Sequence, residues 1–142
     1  MARGETTFGP NRDVIPTRVT KSFNLPGILP ATAGNWGVMF WTADAAYELV
    51  SCSERHATAG NDAGAVTVML TKVPSGTAVG SGTAMLSAGI SLKGTADTNA
   101  AGSLSTTTAD LRLVAGDSVA WALTGTPTAV VGSHCRAVFK RI

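Results

Sequence analysis

Residues 110–124 read Asp-Leu-Arg-Leu-Val-Ala-Gly-Asp-Ser-Val-Ala-Trp-Ala-Leu-Thr, and this stretch decides the fold class. On both sides of Ala115-Gly116-Asp117, a sequence typical of a tight turn, large apolar residues alternate with polar or small ones. A period of two is typical of β-strands that bury one face. We therefore predict a β-hairpin with inward residues Leu111, Leu113, Val119, Trp121 and Leu123.

Similar short segments, separated by turn residues, occur along the rest of the chain. They lie at Arg18–Leu25, Trp36–Trp41, 46–56, Ala65–Lys72, Gly89–Lys93, Ser103–Thr107 and Ser133–Ile142. With the hairpin they make about eight or nine strands, and no stretch has a helical period of useful length. The pattern predicts an all-β protein, an antiparallel β-sandwich of the jelly-roll-like kind.

Two of these strands carry more specific expectations. Trp36–Trp41 is apolar on both faces, which predicts a central strand covered on two sides. In the segment 46–56, strict alternation places Tyr47 and Leu49 on one face and Val50 and Cys52 on the other. The polar end of that segment, including His56, is expected to reach solvent.

The first 17 residues differ from the remainder. They are polar, contain Pro10 and Pro16, and have no periodic pattern. We interpret residues 1–17 as an extended N-terminal arm, with a disordered terminus as the alternative, and residues 18–142 as one sandwich domain. The isolated apolar residues favour an arm that binds a partner, for which the candidate contacts are Phe8, Arg12, Val14 and Ile15.

Composition excludes several classes of function. The net charge is +2 and only 14% of the residues are charged, so a nucleic-acid footprint is not expected. The chain has no run of eighteen apolar residues and no apolar segment near Met1, so neither a membrane span nor a secretion signal is expected. We expect synthesis in a cytoplasm, and a surface of small neutral residues suited to burial against neighbours.

No arrangement typical of a metal site or a catalytic site is present. His56 and His134 are the two histidines, and neither forms part of a known ligand motif, although Cys52 lies four residues before His56. Cys52 and Cys135 are expected to be buried thiols, with a disulfide possible if their strands pair. We therefore predict no metal, no cofactor and no enzymatic activity.

One short motif deserves comparison with an enzyme class. Gly116-Asp117-Ser118 is similar to the nucleophile block of one esterase class, but it lies late in the chain within a predicted turn and no helical pattern follows it. The favoured interpretation is structural: Gly116 supplies a permissive backbone and Asp117 caps the turn with its side chain.

The region from about Asn61 to Ile142 resembles the small jelly-roll head decoration, cement or fibre-base proteins of tailed bacteriophages. The resemblance rests on Ala65–Lys72, Gly80-Ser-Gly-Thr83, Ile90-Ser-Leu-Lys-Gly94, Leu104–Thr107, Leu111–Asp117 and Leu123-Thr-Gly125. It implies a virion protein, commonly a homo-trimer, that binds the major capsid protein on the outer face of the head and stabilises neighbouring subunits. It implies no catalytic residue.

The alternative is a carbohydrate-binding sandwich of a tail spike or adhesin. Trp36, Trp41 and Trp121 could form a sugar platform, but each lies within an alternating strand, which favours core packing. Exposed tryptophans flanked by polar side chains would favour the glycan-binding interpretation.

Overall fold

The computed structural model describes residues 17–24 and 36–142, and these residues form two antiparallel sheets. The ten strands of this part of the chain are β1 (Arg18–Asn24), β2 (Trp36–Thr42), β3 (Tyr47–Arg55), β4 (Thr67–Val73), β5 (Thr83–Ala84), β6 (Ile90–Ser91), β7 (Ala100–Ala101), β8 (Arg112–Leu113), β9 (Ser118–Thr124) and β10 (His134–Arg141). The predicted all-β sandwich is confirmed.

The sheets have related layouts. In the first sheet β10 lies between β1 and β3, and the short strands β7 and β8 both pair with β3. In the second sheet β9 lies between β2 and β4, and β5 and β6 pair with β4. The long strands have seven to nine residues and supply most of the pairing.

The core lies between the sheets and follows the period-two pattern. Val66, Val68 and Leu70 are buried, as expected for the segment that contains β4. Trp121 of β9 and Phe139 of β10 are the largest fully buried side chains, one from each sheet. Burying such large apolar side chains stabilises a fold by about 1.5–3 kcal/mol each.

The predicted hairpin at residues 110–124 is wrong. β8 pairs with β3 in the first sheet, whereas β9 pairs with β2 and β4 in the second. The turn between them crosses from one sheet to the other and is fixed by Ala43, whose carbonyl accepts a hydrogen bond from the Gly116 amide at 2.8 Å. Alternation shows which side chains face inward. Two strands joined in a hairpin and two strands joined across the sandwich have the same alternation, so the pattern does not distinguish them.

The prediction that Trp36–Trp41 is a central strand is also wrong. Within the described residues β2 pairs with β9 alone, at the end of the second sheet, and Met39 is 55% exposed. The apolar residues on both faces have a local cause. The register shifts between Met39 and Trp41, so that the adjacent Phe40 and Trp41 both pack against the core.

The region between β4 and β8 has less regular structure than the sequence predicted. The expected strand at Ser103–Thr107 is reduced to a single bridge between Leu86 and Leu104, and a four-residue helix α1 (Thr108–Leu111) follows it. No helix in the described ranges is long and apolar enough to cross a membrane.

Candidate functional site

The arm residues proposed as partner contacts, Phe8, Arg12, Val14 and Ile15, lie outside the described residues. Thr17, the last residue of the predicted arm, is described. The Thr17 carbonyl accepts a hydrogen bond from the Arg141 amide at 3.0 Å, next to the start of β1. β1, which follows Thr17, pairs with β10 along its whole length.

The Gly-Asp-Ser motif has the structural role expected of it. Gly116 has φ +94°, a conformation that favours glycine, and a carboxylate oxygen of Asp117 accepts a hydrogen bond from the Val114 amide at 3.0 Å. The Ser118 hydroxyl pairs with the hydroxyl of Thr42 at 2.8 Å rather than with a histidine. This arrangement does not activate Ser118 as a nucleophile.

A β-bulge in β3 overturns the expected orientation of the second half of that strand. Phe139 is opposite Leu49 and Val138 is opposite Ser51, so Val50 is an extra residue in β3. The inward face therefore continues with Cys52 after Tyr47 and Leu49. The expectation that Cys52 lies on the opposite face of the strand from Tyr47 and Leu49 is wrong.

The same bulge places Glu54 and His56 inside the protein, where their side chains are 0% and 1% exposed. The expectation that His56 reaches solvent is therefore wrong. Glu54 accepts a hydrogen bond from Ser133 at 2.6 Å on one carboxylate oxygen, and its other oxygen lies 2.9 Å from His56 Nδ1. Glu54, His56 and Ser133 form a buried polar cluster that links β3 to the segment before β10.

The hydrogen-bond partners of His56 show that its ring nitrogen Nε2 carries a proton. His56 Nε2 lies 3.1 Å from the carbonyl oxygen of Gly94, which can only accept, so Nε2 donates. A second proton must then lie between Nδ1 and the facing Glu54 oxygen for that contact to be a hydrogen bond. Every oxygen of the Glu54 carboxyl group and both ring nitrogens of His56 thus have a partner.

This cluster differs from a catalytic triad in its order of contacts. The Ser133 hydroxyl is bonded to the carboxylate, not to the imidazole, and the outer nitrogen of His56 is occupied by Gly94. All three side chains are buried. Among residues 17–24 and 36–142, no three His, Cys, Asp or Glu side chains are grouped so that they could hold a metal ion.

Cys52 and Cys135 are buried free thiols, as the sequence predicted. Their strands do pair, but Cys135 is opposite Glu54 and Cys52 is opposite Ala137, so the thiols are diagonal neighbours. Burial raises the pKa of Cys52 to about 11 and that of Cys135 to about 12. Both thiols are therefore protonated at neutral pH and unreactive.

Two of the three tryptophans pack in the interior. Trp121 is 1% exposed, and Trp41 lies with its ring centroid 5.0 Å from those of Tyr47 and Phe139. The ammonium group of Lys21 covers the Trp41 ring at 5.0 Å. These two residues do not form the exposed platform that the glycan-binding interpretation requires.

The outer faces of the two sheets differ in charge, a feature that the low overall charge did not reveal. The outer face of the first sheet, called here the basic face, is formed by β1, β10, β3 and the adjacent β8. Its side chains with charge are Arg18, Glu48, Arg55, Arg112, Arg136 and Lys140, and Asp97 lies at its edge beside Arg55. Five basic and two acidic residues give a net charge of +3, against +2 for the whole chain.

The outer face of the second sheet is called here the uncharged face. It is formed by Gly37, Met39, Thr67, Met69, Thr71, Ala120, Ala122 and Thr124. The 3-10 turn Val79–Ser81 lies across part of it, and Val79 fills the space above Gly37. A pocket of about 190 Å³ remains between this turn and the sheet.

No protein-family model and no curated protein sequence matches this chain. Solved structures with a similar fold do exist. A chain of the cyanophage Pam1 capsid asymmetric unit matches with a TM-score of 0.50 and 10% identity, over 89% of this chain and 85% of that one. A chain of infectious bursal disease virus, Gx strain, matches with a TM-score of 0.40 and 11% identity, over 87% of this chain and 32% of that one. At these identities the similarity shows that the β-sandwich fold is shared with the cyanophage capsid chain.

Proposed function

We propose that the protein is a virion structural protein, specifically a decoration or cement protein that binds the outer face of a phage head and stabilises neighbouring capsid subunits. The observation that carries the proposal is the fold shared with a chain of the cyanophage Pam1 capsid asymmetric unit over most of both chains. That match spans 89% of this chain and 85% of the phage chain, so the two chains are of similar length.

Two features of the described residues support the proposal. The described part of the molecule is a sandwich with one core, and its buried Glu54, His56 and Ser133 are bonded to each other in an arrangement that does not match a nucleophile and its base. The surface has one basic and one uncharged face, so each could meet a different neighbour. A cement protein acts by repeated contacts on a symmetric lattice, and it needs binding surfaces rather than turnover.

The test uses heads of the phage that encodes the protein, prepared without it. Purified protein is added in increasing amounts, and the amount that sediments with the heads is measured. We expect saturation at a fixed number of copies per capsid subunit, with a higher temperature of head disruption when the sites are full. Mass measurement of the free protein then tests the homo-trimer.

Two results would contradict the proposal. One is binding that never saturates or that is equal on heads of an unrelated phage. The other is absence of the protein from the structural proteins of purified, infectious virions.

A further inference from the structure

We infer that the basic face is the surface that docks, and that its partner is a protein surface rich in carboxylates. The inference rests on the proposed function, in which that partner surface belongs to the capsid, and it names the face and the chemistry of the contact. It follows from the distribution of charge over the described strands.

Charge is concentrated on one sheet. In the strands of the second sheet Lys72 is the one charged residue, and its ammonium group bonds to the carbonyl oxygens of Ala109 and Arg112. The outer face of the first sheet carries five basic residues, four of which are arginines that can bind carboxylates in a bidentate manner. Only 14% of all residues are charged, yet nearly half of the 11 basic residues lie on the basic face.

Only part of this charge is neutralised within the chain. Glu48 is bonded to both Arg112 and Lys140 at 3.0 Å. Arg55 Nη2 lies 3.8 Å from Asp97 Oδ1, and two exposed charges at this distance attract each other only weakly. Arg18 and Arg136 have no ion pair within the described residues.

Arg136 marks the centre of the basic face. It is exposed on β10, the strand between β1 and β3, and it lies opposite Ser22 on one side and Ser53 on the other. Small hydroxyl side chains on both sides leave the guanidinium group accessible from above and supply additional hydrogen-bond donors. A carboxylate can therefore reach Arg136 without displacing an internal partner.

A protein partner fits this face better than a nucleic acid does. The face has no Phe, Tyr or Trp side chain in β1, β3, β8 or β10 that points outward, because Phe23, Tyr47 and Phe139 pack against the core. Base stacking is thus not provided. Glu48 and Asp97 would also repel a continuous phosphate backbone, whereas separate carboxylates on a protein can be placed to avoid them.

The experiment compares two double variants that lower the net charge by the same amount. Arg18→Ser with Arg136→Ser removes two charges from the basic face. The matched control, Thr83→Glu with Thr124→Glu, adds two negative charges at exposed positions of the second sheet. Affinity is measured on the heads described above and on immobilised poly-L-glutamate, and thermal unfolding verifies that both variants fold.

We expect the basic-face variant to bind both probes about tenfold more weakly or worse, and the control to remain within about twofold of the wild type. Arg136→Lys, which keeps the charge, should retain most of the binding. Equal losses of affinity in the two double variants, or no loss of affinity in the basic-face variant, would overturn the inference.

The two probes separate this inference from the proposed function. Face-dependent binding to poly-L-glutamate without binding to heads would contradict the capsid role and support the acidic protein partner. Binding to heads that the basic-face variant leaves unchanged would support the capsid role and overturn the inference. Tighter binding to a DNA duplex than to poly-L-glutamate, through the same arginines, would also overturn it.

Discussion

At the residue scale, the buried Glu54 is the most demanding feature of the molecule. Its carboxyl group is fully buried and is held by the Ser133 hydroxyl and by His56. A buried charged or polar group is tolerated only where its partners are in place, and removing one partner leaves the others unpaired in a medium of low dielectric constant. The cluster therefore makes β3 and the segment before β10 depend on each other.

Glu54→Ala should destabilise the fold by about 3 kcal/mol, because His56 and Ser133 lose their common partner and a cavity is left. Urea-induced unfolding measures the change. The control is Asp97→Asn, which removes the charge of an exposed carboxylate 3.8 Å from Arg55 while keeping a side chain suited to the positive φ of +58° at this position. It should change the stability by less than about 0.5 kcal/mol. Similar small effects for both variants would show that the cluster is not a structural link.

The two thiols predict a dependence of stability on alkaline pH. Burial raises the pKa values of Cys52 and Cys135 from 9.0 to about 11 and about 12. In the unfolded chain the thiols ionise at lower pH than in the folded protein, so their contribution to stability is complete below about pH 9 and is lost as the pH rises towards the folded values.

Cys52→Ala with Cys135→Ala should accordingly reduce the loss of stability between about pH 8 and about pH 10, measured by urea-induced unfolding. For the wild type and for the double variant, the free energy of unfolding at one pH is compared with that at the other. The destabilisation caused by the smaller alanine side chains is the same at both pH values and therefore cancels. Identical pH dependence of variant and wild type would contradict the assigned pKa shifts.

At the element scale, the bulge in β3 decides which side chains are inside. With Val50 as the extra residue, Leu49 and Cys52 both face the core, and Glu54 and His56 continue that face. A one-residue change in register moves every following side chain to the opposite face. The bulge therefore creates the buried cluster.

Deletion of Val50 should be tolerated, because Ser51 would then follow Leu49 in regular alternation and Cys52 would still face inward. Deletion of Ser53 is the matched control. It should prevent folding, because Glu54 would turn outward and Arg55 would enter the core. Circular dichroism and thermal unfolding distinguish the two, and loss of the fold in both would contradict the assignment of the bulge to Val50.

At the scale of the whole molecule, the sandwich and the arm are expected to have separate roles. Among the described residues, the core is assembled from residues after Arg18, and the first sheet begins with β1. Partner contacts by Phe8, Arg12, Val14 and Ile15 remain a prediction from the sequence.

Removing residues 2–16 should leave the melting temperature within about 2 °C of the wild type, because the paired strands and the core are retained. The same truncation should lower the occupancy on phage heads if the arm contacts capsid subunits. Full occupancy by the truncated protein would contradict a role for the arm in binding.

Sequence patterns predicted the strands well where the period of two alone decides which side chains are buried. β1, β10 and the first half of β4 have the alternation expected of a half-buried strand, and Cys135, Ala137 and Phe139 are buried as the period of two requires. Thr71 of β4, on the face predicted to be outward, is also buried. The polar turn at Asp117 was also recognisable, because its side chain bonds to the backbone three residues away.

The sequence by itself determined the fold class, the inward faces of the regular strands and the burial of the thiols, since these depend on local periodicity and side-chain chemistry. Only the tertiary structure decided which strands pair, where the bulges lie, and that the charged residues gather on one face. Residues 18, 112 and 136 come from separate segments of the chain, and they lie on one face because β10 pairs with both β1 and β3, and β3 with β8. Such pairing is set by packing between sheets, which no local pattern encodes.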